Sequence, residues 1–204
     1  MEINIENAKA AFETADENVK EVLLTLLPEL KELDIQPVGN RPVIERVKTF
    51  EDACCELGED HPFVLAYLLA YQNINRYVYE ITEDNKDIIA YLKLRIITAA
   101  LNEGWKPQFT KDEERWYPWF TLWTEEELSG KSDEWKADRH LISTGDYSGY
   151  YVGFASAFSG AVPSDTSSYY RLCFKSEALA TYCGKQFIDL WADLNLNRKI
   201  NKTL

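Results

Sequence analysis

Carboxylates beside aromatic rings are the residues of this sequence best placed to break bonds. In a glycoside hydrolase one acid protonates the leaving oxygen and a second attacks or activates water. Glu125, Glu126, Glu127, Asp138, Asp146 and Asp165 follow the aromatic run Arg115-Trp116-Tyr117-Pro118-Trp119-Phe120-Thr121-Leu122-Trp123. Their spacing fixes no pair on one site, and with 34 acidic residues in the chain some fall near aromatics by chance. His61 and His140 are the only histidines, too few for most zinc sites and most Ser-His or Cys-His arrangements. His61 precedes Pro62 and reads as a surface or capping residue, while His140, beside Asp138 and Arg139, lacks an identifiable nucleophile. Gly184-Lys185-Gln186 lacks the glycine spacing of a phosphate loop, so Gly184 reads as a site of close helix packing.

The cysteines Cys54, Cys55, Cys173 and Cys183 show no zinc-ligand spacing and read as free, packed thiols of a reducing compartment. The acidic surroundings of Cys54 and Cys55 argue against a reactive nucleophile there. No catalytic residue, metal ligand or cofactor is expected.

The aromatic run itself is the candidate binding site: Trp116, Tyr117, Trp119, Phe120 and Trp123. Flat rings stack on sugars, bases and partner proteins, and equally well form the apolar layer between a sheet and its helices. The core layer is the default, because a domain of this size needs large anchors and Trp is seldom fully exposed. All six tryptophans lie in the second half of the chain.

Those rings need elements to position them. Apolar residues recur at three- and four-residue intervals from Ile5 to Leu33, an amphipathic helix that Pro28 shortens or kinks. Asp34 to Val47, with Pro37, Gly39 and Pro42, reads as a linker. These segments make a first region, 1–48, followed by an α+β domain, 49–204, helical over 49–104 and sheet plus helix over 105–196. Thr49 caps a short helix that stops at Gly58. Phe63 to Tyr71 is apolar on nearly every face, a buried or partner-covered helix. Thr82-Glu83-Asp84-Asn85 opens a longer helix closed by Gly104.

Lys111 to Arg115 reads as a solvated turn. Arg115 to Trp123, enriched in aromatic and β-branched residues with Pro118 inside it, reads as an edge or bulged strand. Thr124 to Arg139 is charged, an insertion or a short exposed helix. Tyr147 to Phe158 alternates aromatic and small residues like a strand with one buried face. Tyr169 to Phe174 supplies a third strand, and Ser176 caps a last helix. The expected fold is α+β: a helical N-terminal half, then a small antiparallel sheet backed by a C-terminal helix.

Charge narrows the partners. Up to Gly104 the chain has 10 Lys and Arg against 20 Asp and Glu, and after it 12 against 14, so −10 of the net −12 belongs to the first half. That field repels phosphate backbones, and direct nucleic-acid binding is disfavoured. No run approaches the ~20 apolar residues of a membrane span, and the start lacks a secretory signal, so a soluble intracellular protein is expected.

Three motif blocks go further: Thr49-Phe50-Glu51-Asp52-Ala53-Cys54; Ala99-Ala100-Leu101-Asn102-Glu103-Gly104-Trp105-Lys106-Pro107 with Tyr117-Pro118-Trp119-Phe120; and Arg171-Leu172-Cys173-Phe174-Lys175-Ser176 with Gly184-Lys185-Gln186-Phe187-Ile188-Asp189-Leu190. Over roughly Thr49 to Leu194 the chain resembles a group of small proteins encoded by phages and prophages of Bacteroides-type gut bacteria. The resemblance implies a genomic setting, in the host cytoplasm or on the virion, and carries over no reaction and no site residue. The expectation is a non-enzymatic accessory protein acting through protein–protein contact or self-association. Its rivals are an acidic nucleic-acid mimic that inhibits a host enzyme and an aromatic carbohydrate-binding module or glycosidase.

Overall fold

A computed structural model of the chain describes residues 12, 15, 17–26, 41–76, 82, 85–108, 110, 112–144, 150–159 and 170–196. Contacts divide the chain into two units, Met1–Arg46 and Val47–Leu204. In the first, α1 (Glu17–Leu26) lies within the expected amphipathic stretch, whose remainder, Pro28 included, falls outside the described residues apart from residues 12 and 15. The described end of the expected linker instead forms one helical turn, α2 (Val43–Arg46). Pro42 explains the difference: its carbonyl accepts from Glu45 N–H at 2.8 Å, and its fixed φ suits a helix entry.

The second unit opens with α3 (Phe50–Leu57), held by a reciprocal cap. The Thr49 hydroxyl accepts from Asp52 N–H and the Asp52 carboxylate from Thr49 N–H. α4 (Pro62–Arg76) starts where expected, with His61 Nδ1 accepting from Phe63 N–H at 3.2 Å. It is not a buried helix. Val64 and Tyr67 face the core, but Leu65, Leu68 and Leu69 are exposed, Leu69 to 61%. α5 (Lys86–Leu101) is the central helix, burying Ile89, Leu94, Ile97, Ala100 and Leu101 among α3, α4 and the C-terminal helices. Gly104, at φ 83°, takes the left-handed backbone expected after its end.

A three-stranded antiparallel sheet follows, in the order β1-β3-β2, with β1 (Trp116–Thr124), β2 (Ile142–Ser143) and β3 (Tyr150–Ser159). Between β1 and β2 the charged stretch forms two short helices, α6 (Glu125–Ser129) and α7 (Asp133–Asp138). The third strand is therefore β2, just after the region read as an insertion or short exposed helix, and not Tyr169 to Phe174. That segment is a 3-10 turn (Tyr170–Leu172), after which Phe174 alone bridges Trp116 through bonds of 3.0 and 2.9 Å.

The buried Asn102 gives the reason. Its amide donates to the Cys173 carbonyl (2.8 Å) and its oxygen accepts from Lys175 N–H (3.0 Å), so a side chain takes the main-chain groups a ladder would have used. The last helix is also two. α8 (Glu177–Gln186), capped by Ser176, gives way to α9 (Ile188–Asn195) at Phe187, whose backbone leaves the helical region and whose ring is buried beside Tyr182. The whole remains α+β, helices first and then a small sheet backed by C-terminal helices.

Candidate functional site

Alternation along β1 sends successive side chains to opposite faces of the sheet. Pro118 and Phe120 face the helices. A Cβ on Gly184 of α8 would lie 2.7 Å from both Pro118 Cβ and Phe154 Cδ2, so glycine is what lets α8 lie this close. Phe120 packs edge-on to Phe154 (6.3 Å between centroids) and against Trp191 of α9 (5.5 Å). The core reading of the aromatic run holds for this face.

The outward face carries Tyr117, Trp119, Thr121 and Trp123, and it is covered at both ends. At one end the Trp123 ring meets Trp135 edge-on at 5.5 Å, and Trp135 carries the Arg139 guanidinium over its face at 3.9 Å. Gly153, opposite Thr121, lies so close beneath this cover that a Cβ there would meet Leu141 at 2.6 Å and the Arg139 carbonyl at 2.9 Å. At the other end Tyr117 lies beside the buried Cys173, whose thiol burial pushes up to about 11 against the opposing pull of Arg115. Arg115 is the correction to the expected solvated turn. It is 0% exposed and pairs with Glu113 at 3.3 Å. A charge in that position is held by its partner and by the chain folded over it.

Between the covered ends the face is open. Trp119 is 59% exposed, and so is Phe158, diagonal to it across the β1–β3 ladder. Phe158 gets there through a β-bulge. Trp119 pairs with Ser156 and Phe120 with Phe154, so Ala155 is an extra residue that turns the strand over. Without it, Phe158 would share the buried face of Phe154. Of the five predicted residues, the structure thus half-buries Phe120 against the helices, covers Trp123 and Tyr117, and leaves Trp119 in the open. Trp116 is half-buried, and its main chain pairs with Phe174.

The other candidates sit apart from this patch. Asp138 pairs with Lys185, which holds its carboxyl below the usual range, and Glu127 closes a capping box with Thr124. Asp146 and Asp165 lie outside the described residues. His140, exposed and at φ 49°, lines an open groove of about 750 Å³ along α8 with Glu177, Thr181, Tyr182 and Lys185. None of the five aromatic residues lines it. Burial pushes Cys183 up to about 12 and raises Cys54, while Cys55 is exposed and not packed as expected. Among the described residues no group of three or more His, Cys, Asp or Glu side chains is placed to hold a metal ion, and no helix is long and apolar enough to cross a membrane.

The sequence reading missed Arg115, Asn102 and the covering role of Trp135. Only Gly153 left a signal, a glycine inside an otherwise aromatic strand, which marks a close approach. No family model, curated protein or solved structure matches the chain.

Proposed function

We propose that this chain is a non-enzymatic accessory protein of a phage or integrated element, acting by protein–protein contact through the open middle of the outward sheet face. One observation carries the reading: Trp119 stands 59% exposed beside an equally exposed Phe158, on a sheet whose other large aromatics are covered apart from Tyr150 at the start of β3. Trp at the centre of a patch with covered margins is the residue type that dominates binding energy when a partner excludes water from it. The phage setting rests on the three motif blocks alone.

The test is affinity capture with wild type and a Trp119→Ser/Phe158→Ser variant whose circular dichroism matches wild type. A partner held by wild type and lost by the variant supports the reading; identical captured sets for both proteins overturn it. A second reading follows from Ser156 and Thr121, whose hydroxyls neighbour Trp119 on the same face, since an aromatic platform flanked by hydroxyls also suits a sugar ring. A tryptophan emission spectrum unchanged across a broad glycan panel removes it.

A further inference from the structure

The exposed edge of β1 has a geometry more specific than its face. Trp116 turns both its N–H and its C=O away from β3, toward Phe174. In an antiparallel ladder the next residues to do so are Pro118, Phe120, Leu122 and Thr124. Pro118 has no N–H to offer, and Thr124 N–H is taken by the Glu127 carboxylate at 2.8 Å. That leaves Phe120 and Leu122, and among the described residues no main-chain group is bonded to either on that side. The open rungs are thus two, placed symmetrically about Thr121.

From this symmetry, and resting on the reading of β1 as a contact surface, we infer that β1 pairs edge to edge with β1 of a second copy of this chain about a two-fold axis at Thr121. In that register Phe120 of each copy exchanges both main-chain bonds with Leu122 of the other, and every open rung is satisfied. Trp119 lies directly opposite Trp123 of the second copy on the outward face, a cross-strand aromatic pair of the kind that stabilises antiparallel sheets. Trp116 to Thr124 contains no charged residue, and the Glu127 carboxylate on Thr124 N–H lies opposite Pro118 of the second copy in this register, so two copies with a net charge of −12 each can meet here without like charges face to face. Soluble proteins usually protect such an edge along its length, and here Pro118 and the Glu127 carboxylate on Thr124 N–H guard only the two sides of the open rungs. The axis makes the interface isologous and closed, which limits the assembly to a dimer.

Light scattering on the full chain tests this together with two variants. Leu122→Pro removes one outward donor per copy without touching the bonds to β3, and Pro118 shows that an outward position of β1 accepts proline. The expected results are a wild-type mass of twice 23.6 kDa and a dissociation constant raised at least about tenfold by Leu122→Pro, with unchanged circular dichroism. In a Cys54→Ser/Cys55→Ser background, Thr121→Cys should oxidise to a cross-linked dimer, because opposed non-bonded positions lie about 4.5 Å apart, within disulfide reach. A monomeric wild type with no cross-link overturns the inference; a Trp119/Phe158-dependent capture of another protein would then leave the contact reading standing, and its absence would remove both. A dimer indifferent to Leu122→Pro but dispersed by Leu69→Glu places the interface on α4 and also overturns it.

Discussion

The helix-facing and outward-facing sides of the β1–β3 sheet draw on the same residue types and differ in what closes over them. On the helix side Phe120, Phe154 and Trp191 form a continuous aromatic layer, and Gly184 lets the helix approach within contact distance. On the outward side, cover comes from short pieces of chain, Trp135 with Arg139 at one end and Arg115 with Cys173 at the other, and these do not meet. The helices cover their side of β1 as far as Phe120, leaving only Leu122 exposed there, whereas the short pieces leave a gap in the middle. Trp119 and Phe158 occupy the gap.

Substitutions on the two sides should therefore differ sharply. Phe120→Ala opens a cavity between Phe154 and Trp191 and should cost about 3 kcal/mol, read from the urea midpoint. Gly184→Ala forces α8 away from Pro118 and Phe154 and should cost about 2 kcal/mol as an overpacked contact. Trp119→Ala, one residue from Phe120 in sequence, should move stability by no more than about 0.5 kcal/mol while removing partner binding. A large loss of stability in Trp119→Ala would mean that the outward face is core and would erase the contrast.

Much of this contrast was open to sequence reading, and the rest was hidden for identifiable reasons. Helix periodicity, the Thr49 and Ser176 caps and the Gly104 stop all have local causes, and α3, α5 and α8 begin or end close to where those residues predict. The faces of β3 were not legible. Phe154 and Phe158 have the spacing of one face, and a single unpaired residue, Ala155, separates them. Arg115 follows three acidic residues and looks solvated, but its burial comes from segments distant in sequence, including Cys173. Tyr169 to Phe174 has a strand's composition, but Asn102, about 70 positions earlier, holds its main chain out of the sheet. In each case a long-range contact outweighed a local preference.

The smallest expected effect concerns the tie between the outward cover and α8. The Lys185 ammonium holds the Asp138 carboxyl below its ordinary value. A depressed folded-state value contributes stability that is present above the unfolded value and is lost as pH falls through the folded one. Asp138→Asn should therefore flatten slightly the decline of Tm between neutral pH and about pH 3, leaving the rest of the profile unchanged. A profile identical to wild type would show that the pair does not help to anchor α7 to α8.

The central claim is that Trp119, among the described tryptophans of the sheet, stands open to solvent or to a partner. Acrylamide quenching of tryptophan fluorescence, compared between wild type and Trp119→Phe at high dilution where any dimer has dissociated, tests it most directly. The predicted result is a readily quenched fraction in wild type that disappears in Trp119→Phe. Equal quenching in the two proteins would contradict the account, because Trp119 would then be no more accessible than the rings buried beneath it.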